Sequence, residues 1–187
     1  MTRFSMNEPG IPGLQVVKRK PIEDERGFLG RLYCQETFSQ FIAEKGVRQV
    51  NHTLTRKSGV VRGMHFQRPP HAETKIVSCL KGEVLDIAVD LRKDSPTFLQ
   101  HHSVILSEDN FLSFLIPEGF AHGFQTLTTD CELLYFHTAD YNVEAEDGLN
   151  ALDPLLAIKW LMPISERSAR DIASPMLTDN FSGVEFS

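Results

Sequence analysis

Residues 61–75 read VRGMHFQRPPHAETK and hold Arg62, His65, Gln67, Arg68, His71 and Lys75. An imidazole changes charge near neutral pH and can take a proton from a reacting atom. Guanidinium and ammonium groups hold anions. Arg62 and His65 fall near the end of one expected strand and Lys75 opens the next. Two cations and a titratable imidazole on adjacent strands suit an anionic substrate that undergoes proton transfer. On composition alone, a polar loop with one hydrogen-bonded core histidine is the slightly better account.

Two further segments place polar groups among apolar neighbours. Residues 116–124 read IPEGFAHGF, where Pro117 and Gly119 set a turn and His122 enters the next strand. Residues 134–141 read LYFHTADY, with Tyr135 in the apolar run and Tyr141 at its end. A buried tyrosine is usually core with its hydroxyl paired, so Tyr135 alone decides nothing. His65, His71 and His122 could be imagined as one metal face. However, the chain has no HxH pair at these positions and no glutamate at a matching offset, and His101 and His102 are adjacent and point to opposite faces. The metal-free reading is the stronger, and no metal ligand is assigned.

These residues must be positioned mainly by strands. Leu85, Ile87, Val89 and Leu91 alternate with Asp86, Ala88 and Asp90, a period of two with one apolar face. Similar runs occupy residues 59–65, 76–80, 103–106, 111–116, 123–127 and 132–137. Turn signals separate them: KSG at 57–59, KGE at 81–83, KDSP at 93–96, SED at 107–109 and PEG at 117–119. Many short strands with connections too short for crossover helices predict an all-β sandwich or jelly roll. Phe38, Phe41 and Ile42 give a short apolar stripe, which predicts a helix over 36–45. A second short helix is expected near Ser165, where SERS precedes ARDIA.

Length and charge bound the rest. The 187 residues suit one domain over 1–187, with residues 1–10 expected to be flexible. A net charge of -6 argues against a nucleic-acid partner, yet leaves room for a local basic cleft. No apolar run reaches bilayer length, and residues 1–10 lack the apolar centre of a secretory signal, so neither membrane nor secretion is expected. Cys34, Cys79 and Cys131 are scattered and odd in number, which fits small buried hydrophobes in a reducing cytoplasm rather than a disulfide framework.

Taken together, DERGF at 24–28, NHT at 51–53, residues 60–75, KGEVLDIAVDLRKDSPTF at 81–98, LIPEGFAHGF at 115–124, VEAEDG at 143–148 and RSARDIASPML at 167–177 keep an order and spacing that resemble the dTDP-4-dehydrorhamnose 3,5-epimerases. The resemblance implies a double-stranded β-helix (cupin jelly roll) with short peripheral helices. It further implies a homodimer, no cofactor, a nucleotide-sugar substrate and a cytoplasmic role in activated deoxysugar synthesis. Carried over position by position, the base matches His65, its carboxylate partner Asp171, the acid Tyr135 and the lysine near the ketone Lys75. The substrate-binding set matches Arg26, Phe28, Gln49, Asn51, Arg62, His122, Tyr141, Glu146 and Arg170.

The chemistry of these residues agrees. A proton on a carbon next to a ketone is acidified because its loss gives an enolate. Inversion there needs a base on one face and an acid on the other. A cation such as Lys75 could stabilise the enolate oxygen. The chain also departs from the family. Arg31 stands where a glutamate is common, Leu115 for a tryptophan, Leu112 for an arginine and Phe136 for a lysine. Three of these, Arg31, Leu112 and Leu115, fall at positions used around the thymidine, which predicts weakened discrimination for that base. Three competing readings are a C3-only epimerase, a catalytically silent nucleotide-sugar-binding cupin and a metal-dependent cupin enzyme. Retention of His65, Asp171 and Tyr135 argues against the second, and the missing HxH against the third.

Overall fold

In the computed structural model, which describes residues 3–42 and 45–186, two antiparallel sheets face one another. The strands are β1 (Phe4–Asn7), β2 (Gln15–Arg19), β3 (Ile22–Asp24), β4 (Gly27–Leu29), β5 (Gln49–Thr55), β6 (Val61–Gln67), β7 (Lys75–Lys81), β8 (Glu83–Asp90), β9 (His101–Ser107), β10 (Leu112–Ile116), β11 (Phe120–Thr126), β12 (Cys131–His137) and β13 (Glu146–Gly148). One sheet runs β1-β2-β10-β7-β12-β5 and the other β13-β6-β11-β8-β9, while β3 and β4 form a separate hairpin. Every expected strand is present. Consecutive strands β6 and β7, expected to be neighbours, instead lie in opposite sheets and look at each other across the interior.

The two helices are α1 (Gln35–Ile42) and α2 (Ala169–Ala173). For α1, Phe38 and Ile42 are buried against Val17, Ile76 and Leu115 on the outer face of the larger sheet. The expected helix over 36–45 also covered residues 43 and 44, which lie outside the described residues. For α2, the capping residue is Ser168 rather than Ser165, its side chain accepting from the Asp171 N–H. Where a flexible lead was expected, β1 pairs with β2; residues 1 and 2 lie outside the described residues.

The alternation in β8 acquires a meaning that period two alone did not give it. Leu85, Ile87, Val89 and Leu91 face outward but not to water, because residues Leu149, Ala151, Leu156 and Val184 of the C-terminal segment cover them. Val84 and Ala88 join the core between the sheets, with Val77, Phe114, Leu133 and Phe124. Asp86 and Asp90, which alternation would leave in solvent, are fully buried. Two glycines set the spacing at the heart of the smaller sheet. A Cβ on Gly63, which has φ +131°, would sit 2.5 Å from the Gly123 Cα. This close approach accompanies a register shift between β6 and β11 and leaves His65 opposite His122.

Asp90 is a buried hub. It accepts from the Arg92 guanidinium at 2.9 and 2.7 Å and from the Ser95 and Thr97 hydroxyls at 2.7 Å each. Burial pushes its carboxyl up, but the Arg92 and hydroxyl contacts outweigh this and hold it below the usual carboxylate range. Asp90→Asn is expected to cost roughly 2–4 kcal/mol at neutral pH, because Arg92 loses its counter-charge. A group depressed on folding stabilises fully above its unfolded pKa, about 3.9, and that contribution disappears as pH falls through the folded value. Urea unfolding should therefore show the gap between the two proteins narrowing below about pH 4; a gap independent of pH would contradict the ionised assignment.

Candidate active site

A cleft of about 330 Å³ opens between the sheets. The smaller sheet supplies Arg62, His65, Phe66 and Gln67 from β6, His122 and Phe124 from β11, and Glu146 from β13. The larger sheet supplies Gln49, Asn51 and Thr53 from β5, Lys75 from β7, and Tyr135 and His137 from β12. Glu73, Tyr141 and Arg170 complete the lining. Period two explains why Gln49, Asn51 and Thr53 of β5, His122 and Phe124 of β11, and Tyr135 and His137 of β12 share the cleft face, while on β6 the register shift lets Arg62 and His65, three apart, both reach it.

His65 Nε2 donates to Asp171 Oδ1 at 2.7 Å, and Asp171 is 2% exposed. That bond fixes the proton on Nε2 and leaves the lone pair on Nδ1. Asp171 is reached through α2, whose Ser168 cap accepts its backbone N–H while the Gly63 N–H lies 3.4 Å from Oδ2. Burial pushes the Asp171 carboxyl up, yet the His65 bond and charge prevail and hold it below the usual range. Arg170 Nη2 stands 3.1 Å from His65 Nε2. Its Nη1 donates to Glu146, which also accepts from the Tyr141 hydroxyl at 2.8 Å.

Tyr135 is buried on the facing wall. Burial, reinforced by the charge of Asp86, pushes its phenol well above the ordinary range, so it keeps its proton at neutral pH. His122 stands edge-on to it, ring centroids 6.0 Å apart, and bonds Asp86 Oδ1 at 2.8 Å. Among the described residues Asp86 Oδ2 has no hydrogen-bond partner, and burial raises that carboxyl despite His122. Lys75 directs Nζ toward the His65 carbonyl at 3.4 Å and toward Glu73 at 3.3 Å.

Of the thirteen residues assigned by the resemblance, eleven gather here: His65, Asp171, Tyr135, Lys75, Gln49, Asn51, Arg62, His122, Tyr141, Glu146 and Arg170. Arg26 and Phe28 do not. Arg26 is tied to Asp24 within its own hairpin, and Phe28 is 61% exposed with its ring edge-on to Phe111. The family departures also lie outside the cleft. Leu115 is fully buried beside Phe38 and Ile76, Leu112 packs on the inter-sheet core, Phe136 stacks on Tyr33, and Arg31 is exposed near Cys34. None of the four lines the cleft of its own chain, and the expected weakening of base discrimination rests on the resemblance alone. Sequence reasoning missed His137, which lies two residues from Tyr135 on the same face of β12, and Glu73, which stands two residues before Lys75 in the segment leading into β7.

The sequence pattern of the dTDP-4-dehydrorhamnose 3,5-epimerase family matches residues 8–179. The chain belongs to this family. It is 44% identical over 169 residues to the dTDP-4-dehydrorhamnose 3,5-epimerase of Salmonella typhimurium, covering 89% of this chain and 92% of that one. Among solved structures it resembles dTDP-6-deoxy-D-glucose-3,5-epimerase of Legionella pneumophila in complex with dTDP-4-keto-L-rhamnose. That likeness has a TM-score of 0.90 at 35% identity over 98% of this chain and 99% of that one. A 3'-monoepimerase from Streptomyces bikiniensis in complex with dTDP-quinovose is similar at a TM-score of 0.82 and 30% identity, over 91% and 87% of the chains. The fold is thus the cupin jelly roll, and the family is one of isomerases.

If the His65–Asp171 pair works as a unit, its members should be unequal. His65→Ala is expected to lower solvent deuterium exchange into a 4-keto sugar roughly 10²–10⁴-fold. Asp171→Asn should cost less, since the imidazole remains and loses only its tautomer control and charge support. Normal exchange in the His65→Ala protein would refute the assignment.

Proposed function

We propose that this protein inverts C3 and C5 of a dTDP-linked 4-keto-6-deoxy sugar through enolate intermediates. The observation that carries the reading is the placement of the two proton-handling groups on facing walls. His65 rises from the smaller sheet and Tyr135 from the larger, so a sugar ring between them presents opposite faces to each. His65 removes the proton next to the ketone, and Asp171, anionic at neutral pH, stabilises the imidazolium formed. Lys75 faces the oxygen where the enolate charge develops. Tyr135, held protonated, returns a proton to the other face. Arg62 and Arg170 supply the cationic ground for the diphosphate.

The reaction uses the electrostatics of these side chains and no metal. All three imidazoles on the cleft wall are tied to carboxylates, and among the described residues no three His, Cys, Asp or Glu side chains converge as a metal site. The cytoplasm suits three free thiols, and among the described residues no helix is long and apolar enough to cross a membrane. The test is turnover of dTDP-4-dehydro-6-deoxy-D-glucose in deuterium oxide after exhaustive dialysis against chelator. The product should carry deuterium at both carbons, and Tyr135→Phe should lose product formation more than exchange. One deuteron, at C3 alone, would favour the C3-only alternative, and restoration by an added transition metal would sink the metal-free reading.

The working form is a homodimer in which the β3–β4 hairpin reaches the partner's cleft. Arg26 and Phe28 stand away from their own cleft, and Ile22, Phe28 and Leu29 leave an apolar hairpin 46–72% exposed. The outer strand β5 likewise exposes Val50 and Leu54 at the edge of its sheet. A mixture of His65→Ala and Arg26→Ala/Phe28→Ala subunits, co-refolded, should regain activity that neither shows alone, since half of the mixed dimers' sites are intact. No recovery in a confirmed heterodimer would place the hairpin in its own subunit's site.

A further inference from the structure

A third carboxylate–imidazole pair lies in the cleft, on the wall opposite His65. His137 Nδ1 donates to Glu73 Oε2 at 2.8 Å, and the other oxygen, Oε1, faces the Lys75 ammonium at 3.3 Å. All three side chains are close to nine-tenths buried or more: 8% exposed for Glu73, 10% for Lys75 and 12% for His137. His137 is itself held. Its ring stacks on Tyr135, centroids 5.9 Å apart and planes 18° from parallel, and its Nε2 lies 3.5 Å from the Asn51 amide. Across the sheet, His137 pairs with Lys75 on one side and Gln49 on the other.

Among the described residues, Glu73 is the one carboxylate within ion-pair distance of Lys75. A buried ammonium without a counter-charge is costly, and a flexible four-carbon stem has several rotamers in which to escape it. We propose that Glu73 is a positioning residue: anchored by His137 through one oxygen, it uses the other to hold the Lys75 ammonium between the base wall and the acid wall, where the ketone oxygen gains charge. This rests on the reading of Lys75 given above. The ammonium has three N–H donors. One points toward the His65 carbonyl and one toward Glu73, which leaves the third for the substrate oxygen. Burial pushes the Glu73 carboxyl up, but His137 and Lys75 together bring it below the usual range, consistent with a carboxylate at neutral pH. Glu73 touches no reacting atom in this scheme; it acts through Lys75 alone.

Glu73→Gln separates this role from mere packing. The amide keeps the size and can still accept from His137 through its oxygen, but it then turns an NH2 group toward the ammonium, donor against donor. A double-mutant cycle with Lys75→Met gives the readout, measured as solvent exchange and turnover on dTDP-4-dehydro-6-deoxy-D-glucose. Since the interaction strengthens only as the enolate forms, kcat should fall about tenfold or more while KM stays within about threefold. In the Lys75→Met background, adding Glu73→Gln should cost less than about twofold, because a residue acting through another has nothing left to act on. An unchanged kcat in Glu73→Gln, or an equal fall in both backgrounds, overturns the proposal. Full activity in Lys75→Met alone instead overturns the reading of Lys75, and the positioning role with it. If Glu73→Gln fails to fold, His137→Phe serves in its place, keeping a ring on Tyr135 while releasing Glu73; it should give a smaller fall, again only where Lys75 is present, and a fall equal in both backgrounds overturns the idea.

Discussion

Placing ionisable groups between two β-sheets is destabilising unless each charge meets a partner, and that demand shapes the interior of this protein. One end of the space between the sheets is filled by apolar side chains such as Val77, Phe114 and Leu133. The other end holds imidazoles, and each is joined to a carboxylate: His65 to Asp171, His122 to Asp86 and His137 to Glu73. The partners come from distant points in the chain. Asp171 arrives on a five-residue helix, Asp86 on the inward face of β8, and Glu73 from the segment before β7. The fold is what makes these pairs possible, and the pairs are what make a polar cleft compatible with the fold.

The covering layers follow from the same constraint. Because the inward positions of β8 are spent partly on Asp86 and Asp90, its hydrophobic burial must come from the outward positions. The C-terminal segment supplies that cover with Leu149, Ala151 and Leu156, and it is this same segment that carries Asp171 back to His65. Structure and chemistry thus share one length of chain. The close contact of Gly63 with Gly123 serves both as well, since any side chain there would push apart the strands that carry His65 and His122.

Much of this was legible in the sequence, for definable reasons. Period-two runs and turn residues located β6 to β12, because those strands are flanked by tight turns and bury at least one face. Strands β1 to β5 and β13 escaped; β3 and β4 are wholly exposed and β5 nearly so, leaving no alternation to detect there, while the inward positions of β2 include Gln15 and Arg19, which hide its alternation in the sequence. The His65–Asp171 pair could not be derived from spacing, being 106 residues apart, and came through family resemblance. His137 was within reach of the strand rule, two residues from Tyr135 on β12, whereas Glu73 precedes β7 and only the fold brings it to the cleft. The departure at Leu115 was assigned to the thymidine, and that at Phe136 to the place of a lysine after Tyr135, by the resemblance alone. In this chain they belong to the packing around α1.

Three pairs of the same chemistry differ in what their surroundings permit. The His65 side chain is 25% exposed, against 6% for His122 and 12% for His137, so His65 is the imidazole most open to a substrate. Their carboxylates diverge too. Asp171 and Glu73 each have enough donors to overcome burial and stay anionic, whereas Asp86, with one oxygen unpartnered among the described residues and no exposure, is pushed the other way. An anion behind His65 favours the positive charge that a base acquires, and an anion between His137 and Lys75 favours keeping a cation in place. A carboxyl disfavoured as an anion behind His122 does neither so strongly. Burial and the donors around each carboxyl, rather than residue type, therefore set these three pairs apart.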